Sequence, residues 1–118
     1  PVVSSAASDV YKRQSQGKPA EGMKIQLFKI EDKKSVQLAE VITNKDGRVD
    51  QKLLNSSNNI GTYELRFFAG DYFNKENLKL TKIKFLDEIT IRFGISDNTH
   101  YHVPLLISPY GYSTYRGS

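Results

Sequence analysis

Apolar and polar residues alternate with a period of two along most of this chain. Residues 24–30 alternate loosely, and residues 62–68 alternate cleanly, with Tyr63, Leu65 and Phe67 on one face. Successive side chains leave a strand on opposite sides, so this pattern predicts half-buried strands. Residues 89–93 repeat it, and residues 101–107 set Tyr101, Val103, Leu105 and Ile107 against His102, Pro104 and Leu106. Weaker strands are predicted at 37–43 and 49–54. The turn Asn44-Lys45-Asp46-Gly47 would join these two as a hairpin, its glycine supplying the positive φ. Residues 71–78 depart from the rule: Asp71 stands as a candidate N-cap and the apolar spacing is helical, which predicts a helix of about two turns. Seven or eight short strands with one short helix predict an all-β, antiparallel β-sandwich. Proline lacks the N–H that a ladder uses, so the strand carrying Pro104 is expected to be an edge, to be bulged, or to present that position to a cleft.

A length of 118 residues fits one domain. A chain this short buries only about two-thirds of its unfolded surface, so an elaborate site is expected to borrow surface from another subunit. The absence of cysteine excludes disulfides, thiol nucleophiles and thiolate metal sites. Charge adds little, since the net +4 is spread as ten basic against seven acidic residues in 1–60 and seven against six in 61–118. No basic cluster exceeds a pair, such as Lys33-Lys34, so nucleic acid is not an expected partner. No apolar run approaches the ~18–20 residues of a membrane span, and residues 1–14 lack the basic start and apolar core of a signal peptide. The compartment cannot be read.

Candidate chemistry is sparse. His100 and His102 are the only histidines, two apart and on one face of a continuous strand. Asp97 is near, but a third ligand is missing, so no metal site is expected. Nucleophile-elbow, phosphate-loop and His-Glu-x-x-His motifs are absent, which leaves activated water as the nucleophile of any hydrolytic reaction. A histidine able to act as base, Arg48 at a turn, and the hydroxyl-rich tail Tyr112-Ser113-Thr114-Tyr115-Arg116-Gly117-Ser118 are the groups available to it. Two tyrosines within four residues favour a packed tail over a solvent-facing one.

From His100 through Ser108-Pro109-Tyr110-Gly111-Tyr112-Ser113-Thr114 to the terminal Tyr115-Arg116-Gly117-Ser118, the sequence closely resembles the transthyretin-related 5-hydroxyisourate hydrolases. The hormone-carrying transthyretins share the Ser-Pro-Tyr-x-Tyr-Ser-Thr run but have threonine where His102 stands and a different, longer tail. The blocks 17–22, 44–50, 61–63 and 70–73 also fall where that family has similar ones, so the resemblance covers about residues 15–118. It implies a transthyretin-like sandwich of two four-stranded sheets with Greek-key connections. It further implies a homotetramer, a dimer of dimers, with active sites in a channel between subunits. The implied reaction is hydrolysis of a ring amide of 5-hydroxyisourate in urate degradation, without a cofactor, giving 2-oxo-4-hydroxy-4-carboxy-5-ureidoimidazoline. Carried over by position, His102 is one of two catalytic histidines, Arg48 binds and polarises the substrate, and Ser118 with Tyr115, Arg116 and Gly117 lines the site. The planar fork of arginine suits a flat, oxygen-rich substrate, and histidine titrates where a base is needed.

The amino terminus departs from the family. Its opening strand reads approximately His-Val-Leu-Asp-Thr, with the histidine seven residues before the glycine of Gly17-Lys18-Pro19-Ala20; Val10 stands there, and Arg13 stands at the aspartate position. Val10-Tyr11-Lys12-Arg13-Gln14 is a poor fit to a packed face. Three readings compete. Residues 1–14 are foreign to a domain that spans 15–118; or the chain is a non-catalytic small-molecule binding homologue; or His100 substitutes for the missing imidazole. The first leads to the expectation that hydrolysis by the chain as written is impaired.

Overall fold

The computed structural model describes residues 11–13, 18–47, 60–76, 80–97 and 105–115, with residues 11–13 and 18–19 described at the backbone only. Eight strands and one helix follow in order: β1 (Tyr11–Arg13), β2 (Lys18–Pro19), β3 (Lys24–Glu31), β4 (Lys34–Ile42), β5 (Gly61–Phe68), α1 (Ala69–Lys75), β6 (Glu88–Ile95), β7 (Leu105–Ser108) and β8 (Gly111–Thr114). They form two four-stranded sheets, β2-β1-β7-β8 and β4-β3-β5-β6. All pairings are antiparallel except β1 with β7, which run parallel.

The core forms where the alternation predicts it. Tyr63, Leu65 and Phe67 from β5 are at most 2% exposed and pack with Ile25 and Leu27 of β3, Ile89 and Ile95 of β6, and Leu105 and Ile107 of β7. Side chains from both sheets share this cluster, which makes the assembly a sandwich. The loose alternation of residues 24–30 has a local cause: Leu27 pairs with Ala39 but Phe28 with Gln37, so β4 bulges at Leu38. Phe28 then lies buried on the opposite sheet face, beneath the Arg66 guanidinium at 3.9 Å from its ring centroid.

Two turns frame β4. Asn44-Lys45-Asp46-Gly47 is the expected turn, with the Gly47 N–H donating to the Asn44 carbonyl (2.9 Å) and φ of +71° at Gly47. The partner strand predicted at 49–54 lies outside the described residues. On its other side in sequence, β4 is hairpinned to β3 through Asp32 and Lys33, both at positive φ (47° and 66°). This is the left-handed pair of a two-residue hairpin turn, built without glycine.

The helix differs from expectation at its start. It begins at Ala69 with no side-chain cap, so Asp71 falls inside the first turn. Burial of Ala69, Tyr72 and Phe73 sets the start, and the Gly70 N–H donates to the Asp87 carbonyl (2.9 Å). Asp71 and Lys75 still stand at the ends that suit the helix dipole. Residues 77–78 of the predicted helix lie outside the described residues.

Candidate functional site

Position 10, residue 102 and the tail are far apart in sequence, and the register of one sheet decides how they relate. Tyr11 pairs with Leu105, and Leu105 pairs with Thr114, so Tyr11–Leu105–Thr114 is a single row across β1, β7 and β8. β1 and β7 run parallel through this row, and antiparallel β8 finishes there. Leu105 is fully buried and fixes the row to the core. Position 10 immediately precedes the row, His102 precedes it by three residues, and Tyr115 follows it directly.

Of the predicted site residues, the structure describes Tyr115, whose side chain is 58% exposed just beyond β8. Arg48, His102, Arg116, Gly117 and Ser118 lie outside the described residues, as do His100 and Val10. The expected packing of the tail rings does not occur within one subunit. Tyr112 is 45% exposed, and the neighbouring Tyr110, 70% exposed, has its ring 6.2 Å from that of the exposed Phe85. β7 is also not an edge strand, since β1 and β8 flank it. Pro104 itself lies outside the described residues.

Thr43 is a positioning residue that the sequence pattern does not reveal. It is 4% exposed and precedes the turn that leads to Arg48. Its hydroxyl donates to the Ala20 carbonyl (2.6 Å) and accepts from the Met23 N–H (2.9 Å), and its main chain pairs with Gly22 and Met23. Ala20 follows β2, which pairs with β1. Thr43 therefore ties the end of β4 in one sheet to the segment entering from the other. A threonine at a strand end is an ordinary β residue by pattern, so only its buried double bond marks it.

A carboxyl with a displaced pKa lies elsewhere. Glu64 on β5 has 10% of its side chain accessible and receives Arg92 at 2.7–2.8 Å and Arg66 at 3.4 Å. The hydrogen bond from Arg92 is the main cause that holds its carboxyl below the ordinary value, against the opposing effect of burial. This network sits on the outer face of β4-β3-β5-β6 and braces β5 to β6. Among the described residues no group of three His, Asp or Glu could hold a metal, and no helix is long and apolar enough to cross a membrane.

Known proteins share this arrangement. The sequence profile of the HIUase/Transthyretin family matches residues 12–117. A protein of Rhizobium meliloti named 5-hydroxyisourate hydrolase 2 is 53% identical over 104 residues, covering 86% of this chain and 87% of that protein. The structure of Klebsiella pneumoniae 5-hydroxyisourate hydrolase superposes with a TM-score of 0.76 at 32% identity, covering 94% of this chain and 96% of that one. A crystal structure of (S)-allantoin synthase superposes with a TM-score of 0.85 at 38% identity over 98% of this chain, which spans 46% of that longer chain. On the match of profile, sequence and sheet topology together, the chain belongs to the HIUase/Transthyretin family.

Proposed function

We propose that this domain hydrolyses 5-hydroxyisourate at the end of the β2-β1-β7-β8 sheet, in an assembly of four subunits. The observation that carries the reading is the Tyr11–Leu105–Thr114 row. At roughly 3.3–3.6 Å per residue, covalent connection alone keeps His102 within about 11 Å of Leu105 and Ser118 within about 14 Å of Thr114. Position 10 is attached to the same row. By chain connectivity the family's two histidine positions and its terminal Tyr-Arg-Gly-Ser all lead away from this row, and in this reading they converge as a concerted acid–base site. The names of the relatives support the substrate.

In this reading His102 removes a proton from water, whose oxygen adds to the ring amide carbonyl carbon. Arg48 binds the carbonyl side of the substrate and polarises it, and Ser118 with Tyr115, Arg116 and Gly117 lines the site. Collapse of the tetrahedral adduct breaks the C–N bond and the released nitrogen takes up the proton. The product is the ring-opened ureido carboxylate. Assembly is supported by the strands β6 and β8, each the edge of its sheet among the described residues, and by the exposed Phe85 and Tyr110 rings beside them.

Val10 and Arg13 occupy the family's histidine and aspartate positions, so the chain as written works with half of its imidazole pair. The foreign segment of this reading is residues 1–14, and the family domain is 15–118. Val10→His combined with Arg13→Asp should raise kcat/KM by about 10²–10⁴-fold in an assay that follows ultraviolet decay of the substrate. Equal rates would sink the assignment of position 10. His102→Ala in the restored background should return activity to the uncatalysed level, and an unchanged rate would remove His102 from the mechanism. A chain that binds 5-hydroxyisourate without turning it over in either background would favour the non-catalytic binding module.

A further inference from the structure

A cleft of about 360 Å³ opens on the opposite sheet, away from the Tyr11–Leu105–Thr114 row. Its floor is a strip of three neighbouring strands, in which Ile42 of β4 pairs with Lys24 of β3, and Phe68 closes β5 beside them. Helix α1 walls it with Asp71, Asn74 and Lys75. The volume lies at the small end of the range of about 300–1,000 Å³ typical of small-molecule sites.

The charges in this cleft are held apart from one another. The Lys24 ammonium lies over the Phe68 ring, 4.2 Å from its centroid, and the Lys75 ammonium donates to the Gly22 carbonyl at 3.4 Å. Neither meets a carboxylate among the described residues. Asp71 stands four residues before Lys75 on the same helix, the favoured order for an acid–base pair. Lys75 nevertheless reaches across the cleft to Gly22, and the side chains of Asp71 and Asn74 have no protein partner among the described residues. One cleft therefore presents two ammonium groups on neutral partners, a free carboxylate, a free amide and an apolar strip.

We propose that this cleft binds a small carboxylate that also carries N–H donors, such as a ureido acid. Its carboxylate lies between Lys24 and Lys75, its N–H groups donate to Asp71 and to the Asn74 amide oxygen, and its carbon skeleton rests on Ile42 and Phe68. A plain anion meets the like charge of Asp71, and a plain cation meets two ammonium groups; a ligand with both functions complements the whole lining. The site is independent of the hydrolytic reaction.

The test is a titration of the ¹⁵N-labelled full chain with N-carbamoylglycine, read from backbone amide shifts. Saturable shifts at Gly22, Lys24 and residues 71–75 with a millimolar Kd are expected. Lys24→Gln and Lys75→Gln should each weaken binding about fivefold, as should replacing the probe by its ethyl ester or by butyrate. Turnover of 5-hydroxyisourate by Lys24→Gln should equal that of the parent, which separates this site from the catalytic one. Shifts that do not saturate, that fall elsewhere, or that are indifferent to both lysine substitutions overturn the proposal. Equal binding of butyrate would reduce the site to an anion patch and overturn the ligand class.

Discussion

The two sheets are built differently. The long sheet β4-β3-β5-β6 is antiparallel throughout, with strands of 9, 8, 8 and 8 residues, whereas β2-β1-β7-β8 joins β1 to β7 in parallel. The long sheet buries one face in the core and braces the other with the Glu64, Arg66, Arg92 and Phe28 network. The second sheet contributes Leu105 and Ile107 to the same core. In the proposed reading, the chain segments bearing the candidate chemistry leave from this second sheet.

Paired core truncations break this comparison most sharply if it is wrong. Leu65→Ala and Leu105→Ala delete the same atoms from fully buried sites, and each should cost about 2–5 kcal/mol in urea unfolding, Leu65→Ala the more. In the Val10→His, Arg13→Asp background, Leu105→Ala should also lower kcat/KM by about tenfold or more where both proteins remain folded, because it loosens the row itself. Equal activity in the two variants would show that the β2-β1-β7-β8 sheet does not position the site.

Thr43→Val tests the tie between the sheets. It leaves the Ala20 carbonyl and Met23 N–H without their buried partner, which should cost about 1–3 kcal/mol. Thermal unfolding measures this, and the rate should fall as well if the turn before Arg48 depends on that tie. A loss of stability with no change in rate would confine Thr43 to structure.

Acid sensitivity separates the outer face from the rest. Glu64 has a lowered folded pKa, so its contribution is complete above the ordinary value near 4.5 and is lost as pH falls through the lowered folded value. Glu64→Gln should therefore be less stable than the parent at pH 7, with the gap narrowing on acidification below 4.5. A gap independent of pH in denaturant titrations would show that the carboxylate charge is not what braces β5 to β6. The smallest expected effect is at the β3–β4 turn, where Lys33→Gly relieves a left-handed backbone. It should stabilise by about 1 kcal/mol, checked by the unfolding midpoint.

Period-two alternation is legible in sequence wherever a strand is long and has one buried face, as at residues 62–68, because each misplaced residue would turn the whole apolar set to water. The Asn44-Lys45-Asp46-Gly47 turn is legible for a similar reason, since glycine announces its φ. Asp32 and Lys33 give no such signal, and a strand of four residues such as β8 is too short for a period to register. The helix start follows from what Ala69, Tyr72 and Phe73 pack against, which overrides the nominal cap at Asp71. For the site, the sequence names its residue types through the terminal motif and His102 and exposes the gap at Val10 and Arg13.

By itself, the sequence determined an all-β sandwich, its main core residues, and the family whose signature the tail carries. Local rules suffice for these because alternation, turn chemistry and motif spacing act over a few neighbours. Tertiary structure alone decided that Tyr11, Leu105 and Thr114 form one row, that Thr43 links the two sheets, and that Lys75 abandons Asp71 for Gly22. Each of these joins residues 20 to about 100 positions apart, or turns a side chain away from its nearest sequence partner. Register and packing between layers fix such choices, and no local pattern encodes them.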